Sequence, residues 1–295
     1  MSKWTGLSLI FILGCSAGTV KDEGRSQAVE PQQVSVESEA KNTEKDSRSD
    51  VEGAPKPEQE KTTSTLVEPA PAQPTTIRGR VTLTSTPPTM PSLRQRMADC
   101  CPGCSAVHEG QPEPKLERVV AGSNGELANA IVYVSAGIEE KFSIPREAAK
   151  MSLKGCMYAP HVLAVRVGQV IEVKNEDDSL HNVHTTPPKK NAETNHAILG
   201  GGPALNLRLR APEFVPVRCD VHPWMTAWIG AFNHPYFSVT TTDGTFEFSE
   251  KLAPGKYVVS VWHEAYGETS QEMEISGGTR ELEFVYEGEP QQPTK

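Results

Sequence analysis

The chain has 295 residues and a net charge of −9, which gives length for one large domain or two small ones and the wrong sign for a surface that grips nucleic-acid phosphates. Hydrophobic residues make up 37% and charged residues 23%, a mixture that suits a globular part diluted by a polar one. Plentiful Pro (24) and Gly (23) point to short strands joined by many turns rather than to long helices.

The N-terminus reads as a targeting segment. Lys3 makes a positive start, and the apolar run Leu7–Leu13 is too short to span a bilayer. It ends in Gly14-Cys15, and Ile12-Leu13-Gly14-Cys15 resembles a bacterial lipobox. That resemblance implies a signal peptide over residues 1–15 and Cys15 as the lipidated first residue of the mature protein. The chain is therefore expected in the cell envelope, held to a membrane by lipid and facing the periplasm or exterior. Residues 16–75 are rich in Glu, Lys, Ser, Gln, Thr and Pro and lack apolar periodicity. Such a composition buries too little apolar surface to offset chain entropy, so a disordered tether with a reach of roughly 45 Å is expected.

From Thr76 the pattern changes to short alternating or apolar runs. Ile77–Leu83, Ala130–Val134, Val162–Val167, Val170–Lys174, Leu205–Arg210 and Phe214–Arg218 are predicted strands. So are Ala227–Phe232, Phe237–Thr241, Thr245–Phe248, Tyr257–Trp262 and Glu281–Tyr286. No stretch after the N-terminal segment keeps a 3.6 period over three turns, and an all-β sandwich or barrel fold is predicted. Residues 89–118 are less regular and read as a long loop with one helical turn.

The densest chemistry lies in Cys219-Asp220-Val221-His222-Pro223-Trp224-Met225. A thiolate, an imidazole and a thioether within seven residues select a soft metal. Cys and two His with a weak axial Met is the blue-copper arrangement. The second His is available in His181-Asn182-Val183-His184, about 40 residues upstream and within reach at one end of a sandwich. His184 stands three residues from His181, so an extended strand turns the two to opposite faces, and His184 is read as a non-ligand. His108, His161, His196, His234 and His263 are expected at the surface or in turns.

Cys219-x2-His222-x2-Met225 with His181-Asn182-Val183 resembles the plastocyanin and amicyanin group of cupredoxins, over roughly residues 150–235. The resemblance implies a Greek-key sandwich binding one type 1 copper ion. It makes His181 and His222 the nitrogen ligands, Cys219 the equatorial thiolate and Met225 the axial ligand. Asn182 would tie the ligand loops together near the sulfur. By the same analogy the loop His reaches the surface through an apolar patch of Pro223, Trp224 and Gly200–Pro203, and partners are redox proteins such as c-type cytochromes. Electron transfer is the expected function. Copper storage or delivery, or an interaction module with structural copper, are the alternatives. No catalytic residue is assigned, since a copper oxidase or reductase needs a further copper centre and His pairs that this chain does not offer.

Four cysteines remain: Cys100, Cys101, Cys104 and Cys156. An even remainder in an oxidising compartment favours disulfides, with three pairings open. Cys101-Pro102-Gly103-Cys104 is a CxxC, but Ser105 follows it rather than the His of a haem-attachment motif. An auxiliary metal site and redox catalysis are its other readings.

The run Thr242–Phe248, with Leu252–Val261 after it, resembles the carboxypeptidase regulatory-like, or transthyretin-like, β-sandwich family. Its Asp243-Gly244 and Pro254-Gly255 pairs are turn formers in their own right. The family implies earlier strands, for which Gly79-Arg80-Val81 and Ala130–Val134 are candidates, and it carries no peptidase site. The expected organisation is therefore nested. Residues 76–142 and 237–287 form the regulatory-like module, and residues 143–236 form a copper domain inserted in it or adjoining it.

Overall fold

The computed structural model of the chain describes residues 73–186 and 189–291. The lipobox-like segment at Cys15 and all but the last residues of the expected tether lie outside them. The described residues are almost entirely β. Strands β1 (Thr75–Leu83), β2 (Ile131–Ala136), β3 (Ala149–Lys154), β4 (Met157–Ala159) and β5 (Val162–Arg166) are followed by β6 (Ile171–Asn175), β7 (His181–Thr185) and β8 (Thr194–Ile198). Then come β9 (Leu205–Leu207), β10 (Glu213–Arg218), β11 (Thr226–Phe232), β12 (Phe237–Val239), β13 (Thr245–Glu247), β14 (Gly255–His263), β15 (Gly267–Ile275) and β16 (Gly278–Tyr286). Two short helices, α1 (Arg94–Cys100) and α2 (Pro102–Ala106), lie between β1 and β2 in the stretch expected to be mostly loop.

Four sheets build two sandwiches. The first sandwich takes one sheet in the order β13-β1-β16 and another in the order β12-β2-β14-β15. Alternation explains its core. In β1, Ile77 and Val81 point inward while their neighbours face outward or are half-buried; in β14, Val259 and Val261 point inward, and Ser260 on the other face is buried as well. β1 runs parallel to β16 over nine residue pairs, and β2 pairs with both β12 and β14. Strands from before and after the segment 143–236 thus share one core, which includes Ile77, Val132, Phe246, Val261 and Phe284. The Asp243-Gly244 pair makes a tight turn, with Gly244 at φ +74°, but it joins strands of different sheets rather than a paired hairpin.

The second sandwich has the sheets β5-β11-β10-β7-β8 and β4-β3-β6-β9. Its core gathers Met151, Leu153, Val173, Val183, Val217, Trp224 and Met225. Leu93, Met97 and Cys104 from the α1–α2 segment join this same core. The range 76–142 is therefore divided in space. Its strands belong to the first sandwich, while its helices cover the second.

A third cluster joins the sandwiches. Ile131 of β2 packs with Val162 and Phe232, and a Cβ on Gly230 would come within 2.7 Å of Ile131 Cδ1. Phe214 stacks on Trp262 at 4.4 Å between ring centroids, and Trp228 meets Trp262 edge-on at 5.0 Å. Glu264 accepts hydrogen bonds from His161 Nε2 and, at 3.1 Å, from Trp228 Nε1. His161 and His263 are thus buried rather than superficial. His161, just before β5, is held between Glu264 and the Thr226 carbonyl, and His263, at the end of β14, lies against the rings of Tyr266 and Tyr286, contacts which no local pattern announces.

Candidate metal centre

The site lies at one end of the second sandwich. His181 opens β7, and the loop 219–225 links β10 to β11. That loop closes on itself: Cys219 N–H donates to Met225 O at 3.0 Å, and Met225 N–H donates to His222 O at 2.9 Å. Three donor atoms of His181, Cys219 and His222 lie within 4.8 Å of one another. The two Nδ1 atoms are 3.0 Å apart, and Cys219 Sγ is 3.8 Å from His222 Nδ1. Met225 is fully buried in the same loop. Two imidazole nitrogens and one thiol converge on one buried point, and the same loop carries a buried methionine; together these residue types are the donor chemistry of a mononuclear copper ion, so the residues present fit the metal.

Electrostatics suit the thiolate. Burial pushes the Cys219 thiol up, but hydrogen bonds from His181, His222 and the backbone N–H groups of Asn182 and His222 outweigh it and bring the pKa down to about 6. Burial likewise opposes charge on His181, yet its bonds to Asp177 and Cys219 lift it to about 9. The pocket thus favours a thiolate beside an imidazolium, and a metal ion held by these residues would take the place of that proton.

The surrounding shell is dense. Asp177 accepts from His181 Nε2 at 2.9 Å and from the backbone N–H groups of Gly155 and Cys156 at 2.7 Å each. Those two residues turn β3 into β4 with φ of +62° and +54°, the left-handed pair that a two-residue hairpin needs. Asn182 Oδ1 accepts from Asp220 N–H at 2.7 Å, and its Nδ2 donates to Asn195 and Asp220. The Asn182 side chain therefore ties β7 and β8 to the loop that carries the thiol. His184 is turned away from the donor atoms, held by Asp220 at Nδ1 (2.8 Å) and Glu193 at Nε2 (2.6 Å).

Two expectations change. Trp224 is not part of a surface patch: it is buried, and its Nε1 donates to Cys156 O at 3.0 Å. His222 does not reach the surface either, at 3% exposure. The α1–α2 segment covers it. Cys104 and Cys156 form a disulfide, and Cys104 Sγ lies 3.5 Å from His222 Nε2. Cys101 Sγ caps α2 by accepting from Cys104 N–H at 3.3 Å, whereas Cys100 is exposed. Pro223, Val221 and the Gly201–Pro203 side of the loop do remain at the surface, joined by Leu180 and Leu199. Asp177 is the functional residue that motif reading missed. Its position four residues before His181 was the available signal.

No protein-family model and no curated protein matches the sequence. Among solved structures the chain is similar to a purple cupredoxin from Nitrosopumilus maritimus, at 18% identity and TM-score 0.25, over 28% of this chain and 99% of that one. It is similar to a reduced amicyanin variant at 19% identity and TM-score 0.27, over 34% of this chain and 98% of that one. A copper-containing nitrite reductase from Thermus scotoductus SA-01 is similar at 21% identity and TM-score 0.29, over 34% of this chain and only 25% of that one. These structural neighbours are cupredoxins and a cupredoxin-bearing enzyme. Superpositions this weak carry no argument about the site, which stands on its own donor geometry.

Proposed function

We propose that this chain binds one type 1 copper ion through His181, Cys219, His222 and Met225 and serves electron transfer at the cell envelope. The observation that carries the reading is the convergence of two Nδ1 atoms and one thiolate sulfur on a single buried point. Copper, when bound, supplies a one-electron couple there. The chain's own residues do the rest. Asp177 orients His181, Asn182 fixes the thiol loop, and Trp224 with the Cys104–Cys156 bridge excludes water from the His222 side. A rigid, dry donor set resists rearrangement between oxidation states, which is what rapid electron exchange needs. Redox proteins such as c-type cytochromes are the proposed partners. The first sandwich is read as a regulatory-like module that presents the copper domain, and Cys15 as the lipid anchor.

The test is one spectrum and one variant. The copper-loaded protein should hold one ion per chain and show the intense visible thiolate-to-copper band, and Cys219→Ser should lose it. A coloured Cys219→Ser protein overturns the assignment. Copper storage or delivery is a second reading, favoured by the burial of His222 beneath the disulfide, since a covered ligand retains its ion. Rapid electron exchange with a small redox mediator favours the first reading, and negligible exchange with slow copper release favours the second.

A further inference from the structure

His222 offers two nitrogens to two different clusters. Its Nδ1 faces Cys219 and His181. Its Nε2 faces the sulfur atoms of the α2 segment, and Cys101 Sγ, Cys104 Sγ, Cys156 Sγ and a His222 nitrogen all lie within 4.8 Å of one another. Cys104 and Cys156 are buried, and Cys101 is partly so. Three sulfurs and one imidazole nitrogen around one point form a Cys₃His set, the donor set of tetrahedral thiophilic sites. In the disulfide form two of the three sulfurs are tied to each other and unavailable as thiolates.

We propose that this cluster is a second metal site, specific for a thiophilic d10 cation such as Zn²⁺ or Cu⁺, and that the Cys104–Cys156 disulfide closes it. Opening requires a dithiol reductant. The disulfide takes two electrons and two protons to become two thiols, and the reductant becomes its own disulfide. Cys101, Cys104 and Cys156 then release three protons as they bind the cation, with His222 Nε2 as the fourth donor. His222 would stand between both sites as a bridging imidazole, so the thiol redox state of the segment is linked to the metal centre beside it. The site goes beyond the copper reading and does not depend on it.

The experiment counts ions by native mass spectrometry in the Cys219→Ser background, where the first site lacks its thiolate. Protein is compared before and after treatment with a dithiol, with thiols counted by alkylation, and is titrated with Zn²⁺ alone and, anaerobically, with Cu⁺ alone. Reduction should expose two further thiols and add one ion per chain, and the cation retained against the stronger chelator identifies the preferred one. Cys101→Ser should abolish the added ion while keeping the fold, because a serine hydroxyl caps α2 in the same way. Cys100→Ser should keep it, since Cys100 lies outside the cluster. A disulfide that resists reduction in the folded protein, an unchanged ion count after reduction, or an added ion that survives Cys101→Ser overturns the proposal. Failure of the copper reading would appear separately, as the absence of the visible band in the unsubstituted protein.

Discussion

Asp177 Oδ2 lies 2.9 Å from His181 Nε2 and 2.7 Å from the amide nitrogen of Cys156, so one carboxylate orients the imidazole of a candidate ligand and holds the hairpin that carries the disulfide. Its pKa is held below the usual carboxylate range: burial opposes the charge, and the bonds from His181, Cys156 and Gly155 overcome it. Replacing it as Asp177→Asn keeps the shape but removes the charge that fixes the ring tautomer. Copper affinity should fall about 10- to 100-fold, the usual cost of losing such a partner. Competition against a chelator of known strength measures it, and an unchanged affinity would refute the orienting role.

Met225→Leu should leave the visible band in place and raise or lower the reduction potential, because the axial thioether bonds weakly while the thiolate carries the colour. Voltammetry of the copper-loaded variant reads the shift. Loss of colour in this variant would mean that Met225 holds the loop rather than tuning the ion.

Two buried histidines in the first sandwich and at its boundary should respond to pH with opposite signs. Burial, together with the nearby charges of His161 and Arg118, presses His263 down to about 3. Its contribution is complete above the unfolded value of about 6.5 and is lost as pH falls toward about 3. Burial also opposes charge on His161, but Glu264 and Glu117 outweigh it and hold His161 above its ordinary value. Its contribution is complete below about 6.5 and is lost as pH rises through the raised value; Glu117, itself raised by burial, acts in the same direction. Urea midpoints should therefore fall less steeply toward acid in His263→Leu than in the unsubstituted chain. His161→Gln should differ most from the unsubstituted chain at acid pH and least at alkaline pH. Parallel profiles for either variant would contradict the assignment.

Gly230 makes room for Ile131 where the two sandwiches meet. An alanine Cβ there would stand 2.7 Å from Ile131 Cδ1, 3.1 Å from Phe232 and 3.3 Å from Phe214. Gly230→Ala should cost about 1–3 kcal/mol, the range for overpacking a close-packed contact. Adding Ile131→Val should recover part of it, because removing the methyl relieves the clash. Strictly additive losses in denaturant unfolding would mean that the two residues do not share the interface.

For attachment, the unsubstituted protein should fractionate with membranes, and Cys15→Ser should release it. Recovery of the unsubstituted protein wholly in the soluble fraction, with an unmodified N-terminus, would remove the lipid anchor.

Local information accounts for what could be read directly from the residues. The strands at Ile77–Leu83 and Phe214–Arg218 alternate, because one face of each is buried and a period of two records it. The donor set was legible for a related reason. Cys219, His222 and Met225 share one seven-residue loop, so their spacing alone constrains their geometry. Strands β8 and β15 were missed because most of their positions are exposed, which leaves little apolar alternation to see.

The amino-acid sequence by itself determined the all-β class through short-range periodicity and the candidate ligands of the loop 219–225 through their spacing, while His181 rests on a separate motif and the cupredoxin resemblance. Tertiary structure alone decided that Cys104 pairs with Cys156, 52 residues away, that Trp224 and His222 are buried beside that bridge, and that Asp177 ties His181 to the β3–β4 hairpin. The bridge and the cover it gives His222 depend on a helical segment from between β1 and β2 docking on the second sandwich. Such a contact gains its free energy from apolar surface brought together across the fold, here Leu93 and Met97 against the core of the second sandwich, and no local pattern encodes which surface that will be.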